Sequence, residues 1–203
     1  HRDNFSWNCG WEGDDDAPAE VLRLRKQQAK NFCCLVMLAN GTPMFCAGDE
    51  FLNTQFGNNN PYCQDNEISW LDWQRLEDNR DFHRFFSKMI AFRKSHPTLA
   101  RSRFWREDVR WHGTGADIDM SFESHQLAFY LDGAAENDAD LYVMINGGWR
   151  EQKFTLQQPL AGWQRVIDTG RDSPGDILEP ADAPPLASKE LSLKGRSLVV
   201  LLR

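Results

Sequence analysis

No apolar run in this 203-residue chain approaches the roughly 18 residues of a membrane-spanning helix. No basic run is present either. Lys and Arg total 23 against 30 Asp and Glu, a net charge of −7 that disfavours nonspecific binding to nucleic acid or an anionic membrane. The five cysteines (Cys9, Cys33, Cys34, Cys46 and Cys63) form no C-x-x-C pair. Their odd number reads as reduced thiols of a cytoplasmic protein, some of them filling core. Neither a G-x-S-x-G elbow nor a phosphate-binding loop occurs, and Gly113-Thr114-Gly115 lacks the helix and third glycine of a dinucleotide fingerprint. The five histidines are scattered, none at ligand spacing from another His or a Cys, so no metal or cofactor is expected. An initiator Met and a signal segment are also missing at His1, which reads as a piece of something longer, and without that signal the Asn4-Phe5-Ser6 sequon is a chance occurrence.

What remains is a globular composition, 41% apolar and 26% charged, long enough for one large domain or two small ones. Tyrosine is scarce at three, whereas tryptophan reaches eight. Several of these tryptophans lie beside Asn, Gln and Asp, a combination that suits sugars: flat apolar faces on an indole, hydroxyls on amides and carboxylates.

The chain divides near Pro97. Residues from His1 to about Gly13 have no periodicity and read as a loop. Asp14, Asp15 and Asp16 ahead of Ala17-Pro18 mark a helix start, and apolar positions from Val21 to Ala39 carry the helix to Asn40-Gly41. Pro43 to Ala47 is a short apolar run that predicts a strand buried on both faces, with Gly48, Asp49 and Glu50 at its C-terminal end. Those two acids either line a site or simply hold the loop. Asn53 to Glu67 is rich in Asn, either a ligand-facing loop or one that folds on itself by Asx-turns. Asp78 or Asn79 is expected to cap a second helix whose apolar face holds Phe82, Phe85, Phe86, Met89, Ile90 and Phe92. After Pro97 the period becomes two, and seven strands are expected at 109–112, 126–131, 140–145, 152–156, 164–168, 190–193 and 197–202. Asp172 to Pro185 reads as a long surface loop, and the strands as an antiparallel β-sandwich.

Ser6-Trp7-Asn8-Cys9-Gly10 with Glu12-Gly13, Gly41-Thr42-Pro43-Met44 with Gly48-Asp49-Glu50-Phe51, and Gly57 through Glu67 followed by Trp70-Leu71-Asp72-Trp73 closely resemble the isoamylase-type glycogen debranching enzymes. These belong to the α-amylase superfamily, glycoside hydrolase family thirteen. The resemblance implies an α+β composite: residues 1–98 as the last βα portion of a (β/α)₈ barrel, with Pro43 to Ala47 as its eighth strand, and residues 99–203 as the antiparallel β-sandwich C-terminal domain. It implies a parent that hydrolyses α-1,6 branch linkages of glycogen or limit dextrin with retention. The family's three catalytic carboxylates would lie before His1, so no catalytic residue is assigned here, and a barrel of about 250 residues cannot be complete.

The partner implied is a branched α-glucan. Candidate contacts are Trp7 and Asn8 in the first loop and Asn59, Asn60, Tyr62, Gln64 and Asp65 in the second, with Gly48, Asp49 and Glu50 as an active-site wall. A rival reading makes the sandwich a glucan-binding module, but Trp105, Trp111, Trp149 and Trp163 form no clustered polar pair in sequence, which favours a scaffold. A related superfamily transferase is the other rival. With neighbouring barrel strands missing, Phe32, Leu35, Met44 and Phe45 would face water. The sandwich and the Asn79 helix are then expected to form the stable body, with residues before Phe51 self-associating or disordered.

Overall fold

The computed structural model describes residues 7–14 and 16–203; the Asn4 sequon, Ser6 of the first motif and Asp15 of the helix start lie outside them. Two long helices, a five-stranded antiparallel sheet and a two-stranded sheet stack in that order.

Helix α1 covers Ala19–Leu38 and turns Lys30, Cys33, Cys34, Met37 and Leu38 inward. That i, i+3, i+4, i+7, i+8 spacing is one helical face. Pro18 precedes it with its fixed φ, and no side chain caps its start. Helix α2 (Gln74–Asp78) is followed at once by α3 (Arg80–Ser95), which buries Phe82, Phe85, Phe86, Met89 and Arg93 on one face. Asn79 stands at the N-cap position of α3, but its side chain makes no capping bond there. Its amide instead donates to Phe51 O at 3.3 Å and Arg75 O at 3.0 Å, pinning the corner between the helices. Pro97 ends α3 and opens a single-turn α4 (Pro97–Ala100).

The strands are β1 (Val109–His112), β2 (Gln126–Leu131), β3 (Leu141–Asn146), β4 (Gln152–Thr155), β5 (Gln164–Asp168), β6 (Glu190–Leu193) and β7 (Ser197–Leu202). The main sheet runs β1-β2-β3-β7-β5, every neighbour antiparallel, and β4 pairs with β6 separately. The period-two expectation holds, with a consequence that alternation alone does not give. Both faces of the main sheet are covered. Phe129, Leu131, Leu141, Val143, Leu198, Val200 and Leu202 meet the helices, while Ala128, Tyr130, Tyr142, Met144, Val199 and Leu201 meet Phe154, Leu156, Trp163 and Leu193 on the other side. The first of these cores joins residues on both sides of Pro97, from Cys33 to Leu202.

Two expectations are corrected here, and a third is refined. Residues 42–46 are not a strand: among the described residues nothing pairs with them, and a ladder cannot exist without a neighbour. The described residues before Phe51 stay on the body, against the expected alternative of disorder. The inner face of α1 is buried against α3 and the sheet, and only its outer side chains, such as Phe32 at 64% exposure, together with Met44 at 87%, face water. Residues 172–185 lie on the surface as expected for most of their length but are anchored at three positions. Asp176, Ile177 and Ala183 are buried, Ile177 bridges to Ile167, and Arg84 and Lys88 of α3 bond to the segment.

Candidate glucan-contact surface

The first loop is built around one arginine of α1. The Arg25 guanidinium donates to Asn8 O at 2.8 and 3.1 Å, to Gly13 O at 2.5 Å and to Trp11 O, and pairs with the Asp14 carboxylate at 2.6 Å. A loop without regular structure has backbone carbonyls to satisfy, and one planar five-donor group does so here. The Asn8 side chain accepts from Gly10 N at 2.8 Å and donates to Glu12 Oε1 at 2.6 Å, so it shapes the turn. The other Asp14 oxygen accepts from Arg75 Nη2 at 3.1 Å, and Arg75 Nη1 donates to Leu52 O at 3.0 Å. The Arg25–Asp14–Arg75 chain thus ties the first loop to the segment leading into the Asn-rich loop.

Gly48 sits at φ +98°, and a Cβ there would lie 2.7 Å from Asn53 Cβ and 2.9 Å from Leu71 Cδ2. Only glycine fits such a turn and such an approach. After it, Asp49–Phe51 forms a 3₁₀ turn. Asp49 Oδ2 accepts from Cys46 N and Glu50 Oε2 from Gly48 N, both at 2.8 Å. Each acid therefore spends an oxygen on its own backbone, the loop-holding arrangement. Beside them an apolar cavity of about 330 Å³ opens between Phe32, Val36, Met44, Phe45 and Phe86.

The Asn-rich loop does two things at once. It folds on itself: Asn60 N donates to Asn58 Oδ1 at 2.9 Å, Ile68 N to Asn66 Oδ1 at 3.0 Å, and Gln64 Nε2 to Asn60 O at 3.3 Å. Asp65 Oδ1 accepts the Trp70 indole N–H at 2.8 Å. Yet Tyr62 stands 94% exposed at its tip, an aromatic face with no core to fill. Asn59 and Asn60 lie on the same exposed turn.

Trp7 is placed differently from its sequence neighbour Asn8. The Arg196 guanidinium lies 4.6 Å from the centre of its ring, which takes Trp7 to the turn between β6 and β7. Arg25, Arg75 and Arg196 were not legible as site-building residues. Their partners are carbonyls and a ring distant in sequence, and no spacing rule encodes those. Among the described residues no cluster of His, Cys, Asp or Glu could hold a metal ion, and no helix is long and apolar enough to cross a membrane.

Residues 108–202 match the family described as isoamylase, C-terminal. That segment is an isoamylase C-terminal family domain. The likeness extends well beyond the segment. A rice chloroplastic isoamylase 3 is 43% identical over 181 residues, 87% of this chain and 22% of its own length. A Mycobacterium tuberculosis glycogen operon protein GlgX homologue is 38% identical across 81% of the chain and 22% of its own length. The chain therefore spans less than a quarter of either relative. Among solved structures, a Bacillus acidopullulyticus pullulanase shares the fold across 94% of the chain at a TM-score of 0.70 and 21% identity, over 22% of its own length. A Paenibacillus barengoltzii pullulanase mutant, complexed with maltotetraose, superposes over 92% of the chain with a TM-score of 0.63 and 27% identity. The matched pullulanases cover the helical part of this chain as well as its sheets, so the isoamylase-type helices and sheets recur together.

Proposed function

We propose that this chain is the C-terminal portion of a retaining debranching hydrolase that cleaves α-1,6 branch linkages of glycogen or its limit dextrin. Residues 1–98 supply the end of the catalytic barrel and residues 99–203 the β-sandwich behind it. The observation that carries this reading is the 43% identity to an isoamylase over 87% of the chain. In the intact protein the Gly48–Glu50 turn forms part of the active-site wall, and the Asn-rich loop meets the glucan. Tyr62 offers its face to a glucose ring, and Asn59, Asn60, Gln64 and Asp65 offer amide and carboxylate groups to hydroxyls. Asn8 contributes through the turn it shapes.

None of the acids here takes the role of nucleophile or proton donor. A retaining glycosidase needs two carboxyl groups about 5 Å apart with distinct protonation states, and Asp49, Glu50 and Asp65 are each engaged in a local bond instead. The purified chain should release no reducing ends from glycogen or pullulan above a buffer blank. Turnover by pure protein would put catalysis on one of these three acids and end the reading.

The exposed apolar rim of Phe32, Met44 and Phe45 is the face the rest of a barrel would cover. In isolation it drives copies of the chain together, since each 100 Å² of apolar surface removed from water contributes about 2.5 kcal/mol. Light scattering at rising concentration should show dimers or larger species, and Phe45→Glu should reduce them. A concentration-independent monomer would contradict this.

A further inference from the structure

The turns β3–β4 and β6–β7 are locked together at one end of the sandwich. Arg196 N donates to Gly148 O at 2.7 Å, and Asn146 Nδ2 reaches Arg150 O at 2.8 Å and Lys194 O at 3.0 Å. Gly195 allows this approach, because a Cβ there would run into the carbonyl of Trp149. Two indoles stand on this end. Trp149 is 70% exposed and Trp7 50% exposed, and neither fills core. Each carries a guanidinium against one face: Arg150 at 4.4 Å from the Trp149 ring and Arg196 at 4.6 Å from the Trp7 ring. An arginine on one face restricts the ring's rotamers and leaves the other face open, so less side-chain entropy is lost when a ligand stacks there. Among the described residues, neither guanidinium donates to a protein acceptor, so their N–H groups are available beside the rings.

We infer that Trp149 and Trp7, with Arg150 and Arg196, form a non-catalytic α-glucan-binding site on the sandwich, separate from the Tyr62 loop. Flat apolar faces bordered by uncommitted N–H donors match the chemistry of a glucose ring, whose C–H face is apolar and whose hydroxyls accept hydrogen bonds. The choice of an α-glucan as ligand rests on the debranching reading. The sequence places these tryptophans 142 positions apart, which hid them as a pair; the locked turns bring them to one end.

The test is calorimetric titration of the whole chain with maltoheptaose. Binding to the unaltered chain is expected, weakened about tenfold by Trp149→Ala and partly restored by Trp149→Phe, the loss of one stacked ring. Trp7→Ala should weaken it comparably, and Phe104→Ala, an exposed aromatic elsewhere, should leave it unchanged. An unshifted melting temperature for Trp149→Ala separates lost contact from lost fold. No binding by the unaltered chain overturns the site, as does binding that survives Trp149→Ala but disappears in Tyr62→Ala. Either failure leaves the debranching reading standing, because that reading is judged by the linkage the intact protein cleaves. Maltoheptaose binding that depends on Trp149 would equally survive a finding that the intact protein is a transferase.

Discussion

Replacing Asp176 with alanine should destabilise the fold by about 3–5 kcal/mol, the usual penalty for removing one partner of a buried ion pair. Its side chain is wholly inaccessible. One oxygen takes Lys30 Nζ of α1 at 2.6 Å, and the other takes Arg84 Nη1 of α3 at 2.9 Å and Ile177 N at 3.0 Å. Without the carboxylate, the nearly buried Lys30 ammonium, 5.4 Å from the centre of the Phe85 ring, loses its hydrogen-bonded anion. Arg84 keeps the carbonyls of Pro174 and Ile177 and is partly solvated, so most of the loss comes from Lys30. The paired change Lys30→Met with Asp176→Leu should recover most of the stability, because apolar residues of similar volume commonly replace a buried pair without loss. Urea unfolding of the two variants checks this. A loss under about 1 kcal/mol in Asp176→Ala would mean that solvent reaches Lys30.

A comparable loss is expected at Arg93. Its guanidinium donates to Met37 O at 2.5 Å, Ala39 O at 2.9 Å, Leu99 O at 2.9 Å and Gly41 O. Met37 and Ala39 lie at the end of α1, where the last carbonyls have no helical partner. One side chain from α3 therefore closes the end of α1. Arg93→Ala leaves carbonyls orphaned in buried surroundings, at about 1–3 kcal/mol for each that water cannot reach. A total near 3 kcal/mol by urea unfolding is the expected result. Arg93→Lys should rescue little, because a point charge cannot serve the carbonyls that the planar fork reaches. Full rescue by lysine would show that charge rather than fork geometry matters.

Much of the fold was legible because its signals are local. Alternation placed all seven strands within a residue or two, from Val109 to Leu202, and the 3.6-residue spacing of Phe82, Phe85, Phe86 and Met89 placed α3. The missed features depend on distant partners. The run Pro43 to Ala47 reads as a strand from its side chains, but a strand is defined by what it pairs with. Asp176 looks like one more acid in a Pro-rich loop until Lys30 and Arg84 meet it. The same holds for the candidate site. Asx-turn chemistry in the Asn-rich loop was readable from composition, and Asn58 and Asn66 use it. The first-loop motif offers Trp7 and Asn8 together as contacts, whereas the Trp7 ring packs on Arg196 and the Asn8 amide serves its own turn. Sequence neighbours at the start of a loop have no reason to share a destination.

The most direct test of the debranching reading is product analysis of the intact protein containing this chain on a branched limit dextrin. The account predicts linear maltooligosaccharides released together with new reducing ends, one for each α-1,6 linkage lost by proton NMR. Loss of α-1,6 linkages without new reducing ends, or α-1,4 cleavage with branches intact, would contradict it.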